Sequence, residues 1–101
     1  MAYEIANKIV SGRKAVTVAG TAERLLTDST FCYRIDLCAD LGNTNPVVIG
    51  SSTVVAASGS QKGVILIPGN DPITILVNNV NKVWVDAQTS GDAVCFTYYV
   101  P

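Results

Sequence analysis

Short apolar runs recur roughly every eight to twelve residues, separated by Gly, Asn, Ser, Asp and Pro, which is the spacing of short strands in a sandwich or barrel. The clearest signal runs from Phe31 to Ala39. Phe31, Tyr33, Ile35, Leu37 and Ala39 alternate with Cys32, Arg34, Asp36 and Cys38. A period of two puts these sets on opposite faces of a strand and does not fit a helix. Both thiols are therefore expected on the face of Arg34 and Asp36, covered by a neighbouring subunit or an N-terminal arm. The last segment, Ala93–Val100, repeats the pattern. Val94, Phe96, Tyr98 and Val100 share one face, and Cys95, Thr97 and Tyr99 the other. Val83, Val85 and Ala87 likewise alternate with Trp84, Asp86 and Gln88.

Other segments complete the set. Ala15–Ala19 is short and β-branched, and Glu23–Thr27 suits either a strand or a helical turn. Pro46–Gly50 and Thr53–Ala57 flank Ser51-Ser52 as the arms of a tight hairpin would. Gly63–Ile67 is continuously apolar, the pattern of a strand buried on both faces. Pro68 to Pro72 stops it with turn chemistry, and Ile73–Val77 resumes the β pattern. No helix of ordinary length is predicted. At the N-terminus, Tyr3, Ile5, Ile9 and Val10 follow no regular period and end at the polar step Ser11-Gly12-Arg13-Lys14. This segment reads as an arm over residues 1–14, or one amphipathic helical turn, ahead of a sandwich domain over residues 15–101. The expected fold is all-β: a compact antiparallel β-sandwich of about eight strands, jelly-roll-like or immunoglobulin-like, with an N-terminal arm.

Composition narrows the function classes. Hydrophobic residues make up 49% of the 101 and charged residues 15%, with a net charge of −1. Soluble domains average about 25% charged residues, so the surface is charge-poor and suited to packing against other subunits. There is no basic excess of the kind that binds nucleic acid, and no run of 18 apolar residues that would span a membrane. With no His, triads that use an imidazole base are excluded. Three cysteines, Cys32, Cys38 and Cys95, are an odd number and offer no fourth zinc ligand. Free, buried thiols are the expected state.

The remaining candidates for chemistry have plainer readings. Asp40, Asp71, Asp86 and Asp92 sit at turns without the dense oxygen spacing of a calcium loop. No pair of carboxylates points to acid–base hydrolysis, and Ser58-Gly59-Ser60 lacks the lysine of a phosphate loop. No enzyme activity, cofactor or metal is expected. Trp84 suits a core or interface better than a sugar platform, and Tyr99 suits an interface.

From Val16 to Tyr99 the chain resembles small virion proteins of tailed bacteriophages, of the capsid decoration or cement type. The likeness rests on Val16-Thr-Val-Ala-Gly-Thr-Ala22, Asn45-Pro-Val-Val-Ile-Gly-Ser-Ser52, Gly63-Val-Ile-Leu-Ile-Pro-Gly69, Lys82-Val-Trp-Val-Asp-Ala87, Gly91-Asp92 and Phe96-Thr-Tyr-Tyr99. It implies a non-enzymatic shell-stabilising protein, a homotrimer on the major capsid protein. It would be made in the host bacterial cytoplasm and located on the virion. The alternative is a carbohydrate- or receptor-binding module of a tail, fibre or baseplate. Contacts to the capsid or a neighbouring subunit are expected from Tyr3, Ile5, Ile9, Val10, Arg13, Lys14, Arg34, Asp36, Trp84 and Tyr99.

Overall fold

The segments with the cleanest alternation pair with each other in the middle of one sheet. In a computed structural model that describes residues 5–101, β3 (Arg34–Ala39) lies antiparallel to β8 (Ala93–Val100), with Leu37 opposite Phe96 and Cys38 opposite Cys95. On the far side of β8 runs β1 (Lys8–Ala15), and on the far side of β3 runs β6 (Ile73–Ile75). The second sheet is ordered β2 (Glu23–Arg24), β7 (Trp84–Ala87), β4 (Val47–Gly50), β5 (Val64–Leu66). All pairings are antiparallel. Among the described residues, two four-stranded sheets in the order 1-8-3-6 and 2-7-4-5 make an eight-stranded β-sandwich with the strand order of a jelly roll.

The core forms where the two inner faces meet. Ile35, Leu37, Val94 and Phe96 of the β3–β8 sheet face Val47, Ile49, Leu66, Val85 and Ala87 of the other. Val16, Leu25, Cys32, Val80 and Val83 from the connections close its ends. Each fully buried Val, Leu or Ile contributes about 1.5–3 kcal/mol of transfer free energy. No buried side-chain nitrogen or oxygen among the described residues lacks a hydrogen-bond partner.

Four expectations change. First, the alternation from Phe31 does not run unbroken. Arg34 is opposite Tyr99 in the register, and the Tyr33 N–H also donates to the Tyr99 carbonyl (3.1 Å). Two residues against one make a bulge, which reverses the facing of everything before it. Cys32 is therefore in the core, its thiol donating to the Val77 carbonyl (3.3 Å), and Phe31 is exposed. Cys32 and Cys38 do not share a face.

Second, residues 8–14, set apart above as an arm, form β1 together with Ala15. β1 pairs with all of β8, from Lys8 opposite Val100 to Ala15 opposite Ala93. Tertiary pairing overrides its ragged pattern: the backbone ladder to β8 requires no apolar alternation, and at the inward position Gly12 the Phe96 ring takes the place of a side chain. Val10 lies opposite Tyr98 on the inward-facing register and Ile9 opposite Tyr99 on the outer face. Tyr3 lies outside the described residues.

Third, β4 pairs with β5 and not with 53–57. Residues 51–62 instead fold over the outer face of the β4–β7 sheet, where Val54 and Ala56 cover Val48 and Trp84. Gly63 makes the return possible. Its φ of +125° suits glycine, and a Cβ there would stand 2.7 Å from the Ile49 carbonyl oxygen.

Fourth, Gly63–Ile67 is not buried on both faces. β5 is an edge strand, and of Val64–Ile67 only Leu66 is buried.

Candidate functional site

The outer face of the β3–β8 sheet is a grid set by the registers. One row is Ile9, Tyr99, Arg34. The next is Ser11, Thr97, Asp36, Thr74. The third is Arg13, Cys95, Cys38. Asp36 is the hub of the second row. It accepts hydrogen bonds from Thr74 Oγ1 (2.6 Å), Tyr99 Oη (2.7 Å) and both Arg34 Nε and Nη2 (3.1 and 3.2 Å). The Arg34 guanidinium also lies 5.1 Å from the Tyr99 ring centroid, and Tyr33 packs near Tyr99 at 6.4 Å. Arg34, Asp36 and Tyr99, all expected contact residues, are thus brought together and engage one another.

The basic step is engaged too. Arg13 Nε donates to Asp40 (2.6 Å), and Lys14 pairs with Glu23 (2.9 Å). Glu23 also accepts from the Thr17 and Val18 amides (2.8 and 3.1 Å). These partners set the acidity of three carboxyls. Burial pushes Asp36 up, but the hydrogen bonds from Thr74, Tyr99 and Arg34 outweigh it and hold the group below its ordinary value. Burial likewise opposes, and Lys14 with the two amides overcomes, in Glu23. The Gly42 amide and Arg13 lower Asp40.

A folded value below the unfolded one stabilises the fold above the unfolded pKa, and that stabilisation is lost as pH falls through the folded value. Unfolded carboxyls titrate near 3.9 to 4.3. Urea midpoints are therefore expected to hold from neutrality to about pH 5 and to fall steadily below it. Asp36→Asn should flatten that fall, and an unchanged slope would remove Asp36 from the account.

Trp84 is half-buried beneath residues 51–62, with the Arg24 guanidinium 5.0 Å from its ring centroid. That geometry closes the face a sugar would stack on. Asp86 and Asp92 are buried and hold loop amides, and no group of three metal-ligating side chains occurs among the described residues.

The unsatisfied surface lies at the edges. On one side of the sandwich, β1 and β2 carry Lys8, Arg13, Lys14, Glu23 and Arg24. Charges on an edge strand discourage pairing with another chain. On the opposite side lie β5 and β6, and between Lys62 and Lys82 the only charged residue is Asp71. Here Val64 is 47% exposed, Ile65 43%, Ile67 48% and Leu76 79%. A depression of about 100 Å³ between the sheets is lined by Ala39, Leu66, Ile67 and Ile73, among others. An uncharged β-rich edge with apolar side chains is a template for strand addition. Sequence reasoning missed this edge because an uncharged apolar run reads as core. The missing signal was the pair of flanking prolines, Pro68 and Pro72, which fit edge strands better than central ones.

No family model and no curated protein matches the chain. A solved structure from work titled "Bacillus endospore appendages form a novel family of disulfide-linked pili" is similar over 100% of this chain and 98% of its own, at 15% identity and a TM-score of 0.42. The expected capsid-decoration role, with its tail, fibre or baseplate alternative, is corrected by this result. The similarity found is to a structure from work on a Bacillus endospore appendage, not to a virion protein.

Proposed function

We propose that this chain is a non-enzymatic structural subunit that associates with a second copy of itself through the β5–β6 edge. The asymmetry of the two sides supports this reading. One lateral edge is guarded by five charged residues, whereas on the other side Val64, Ile65, Ile67 and Leu76 are exposed and the segment between Lys62 and Lys82 carries a single charge, Asp71. Pairing two such edges satisfies backbone N–H and C=O groups that otherwise rely on water and removes apolar surface from it. The low charge of the whole chain suits a surface that spends its time in contact.

Light scattering across a concentration series tests the idea. The wild-type chain is expected to show a concentration-dependent rise in mass. Ile65→Lys puts a charge on the edge and should weaken association at least about tenfold, since desolvating an unpaired charge costs more than 1.4 kcal/mol. Its thermal midpoint should stay close to wild type, because Ile65 is already part-exposed. A wild-type chain that remains monomeric throughout, or an Ile65→Lys variant that associates normally, would overturn the proposal.

A further inference from the structure

The third row of the grid holds a pair of thiols that the proposed association does not use. Cys38 and Cys95 are directly opposite on adjacent antiparallel strands, both half-buried and both on the outer face. They line, with Ser11, Pro72 and Thr97, a shallow depression of about 230 Å³. Both are free thiols.

The register fixes what can bridge them. The Asp40 N–H donates to the Ala93 carbonyl (3.1 Å) in the same β3–β8 ladder. Hydrogen-bonded pairs recur every second residue, so Cys38 and Cys95 form one as well. Such pairs keep their Cα atoms about 5.5 Å apart, with Cβ atoms toward the wide end of about 4.5–5.5 Å. A disulfide needs Cβ atoms at about 3.5–4.5 Å. Two metal–thiolate bonds of about 2.3 Å, laid end to end, span roughly 4.6 Å between sulfurs. The Cα spacing lies within disulfide range while the Cβ spacing is at or beyond its wide end, so one atom bridging the two sulfurs fits the pair at least as well as a direct sulfur–sulfur bond. The donor set selects the ion. Two thiolates with no third His, Cys, Asp or Glu grouped with them among the described residues cannot complete a tetrahedral zinc site. Soft thiolate donors favour monovalent copper.

We propose that Cys38 and Cys95 form a two-coordinate site for a monovalent thiophilic cation of the copper group. Binding replaces two S–H bonds by two metal–sulfur bonds and releases two protons, with no change of oxidation state. The product carries one negative charge. Arg13, opposite Cys95 in the same row, lies beside that charge, with Asp40 as its existing partner. Burial, Asp40 and Cys38 push the Cys95 thiol up, against the pull of Arg13.

The test uses the reduced full chain under anaerobic conditions, with copper(I) delivered from a chromophoric chelator. One copper per chain is expected by native mass spectrometry. Outer-shell changes alone cost 10–100-fold in metal affinity, so loss of a ligand in Cys38→Ser or Cys95→Ser should cost roughly 100-fold or more. Cys32→Ala, which removes the core thiol, should leave the affinity within about threefold, well below that range. Thermal melts confirm that each variant is folded. The proposal is overturned if either serine variant binds copper as the wild type does, or if Cys32→Ala abolishes binding. It is also overturned if the reduced chain takes up no copper, whether or not air oxidation joins Cys38 to Cys95.

Discussion

Asp86→Ala is expected to destabilise the fold by about 3–5 kcal/mol, the range for breaking a buried network of charge-assisted hydrogen bonds. The carboxylate is 2% exposed and accepts three backbone N–H groups. Oδ2 takes Ala56 (2.9 Å), and Oδ1 takes Gly20 (3.0 Å) and Ala87 (2.9 Å). Ala56 belongs to the segment that covers Val48 and Trp84, and Gly20 to the loop between β1 and β2. One side chain thus ties two connections to the outside of β7. Removing it leaves buried donors without acceptors, each costing about 1–3 kcal/mol. For a domain this size, 1 kcal/mol moves the midpoint about 4–8 °C, so a drop of more than about 12 °C is expected in a thermal melt. Asp86→Asn keeps one oxygen acceptor but turns an NH₂ group toward an amide N–H, and should fall between the two. Protease cutting within residues 51–62 should rise in Asp86→Ala before the rest of the chain unfolds. A midpoint within about 4 °C of wild type would mean that the two loops hold their places without this anchor.

Gly12→Val is expected to cost about 1–3 kcal/mol, the usual penalty for overpacking a core. Gly12 lies opposite Phe96, and a Cβ built on it would stand 2.6 Å from Phe96 Cζ and 2.9 Å from Cε2. The phenyl ring lies over the bare backbone of the edge strand, in the space a side chain would otherwise take. This makes the two positions a coupled pair, which a double-mutant cycle measures. Phe96→Ala alone should cost about 3–5 kcal/mol. In that background Gly12→Val should cost nothing or restore stability, giving a coupling of roughly 1–3 kcal/mol. Additive effects from denaturant titrations would show that the ring finds room elsewhere.

Both predictions depend on contacts between residues far apart in the chain, and this is where sequence reasoning and structure part. The inward sets of β3, β7 and β8 were legible because alternation is a local property. Ile35 and Leu37, Val83, Val85 and Ala87, and Val94 and Phe96 are all buried. The bulge at Tyr33-Arg34 was not legible, because it arises from the match to β8 and leaves no mark on apolar content. It alone moved Cys32 into the core and Phe31 out of it. Of the expected contact residues, Arg34, Asp36 and Tyr99 proved to be one network, while Arg13 and Lys14 proved to be paired with Asp40 and Glu23. Opposite charges far apart in sequence carry no local sign that they will meet.

The sequence by itself determined an all-β chain of short strands with a charge-poor surface, because residue type and period two act within a few residues of each other. Only the tertiary structure decided which apolar strand lies at an edge. Gly63–Ile67 and Pro46–Gly50 read alike as apolar runs, yet Val47, Val48 and Ile49 are fully buried between neighbours while Val64 and Ile65 are exposed. Burial of a strand depends on what pairs with its flanks and covers its faces, and those partners come from elsewhere in the chain. The same holds for the thiols. Cys38 and Cys95 are 57 positions apart in the chain, and the β3–β8 register alone sets them side by side.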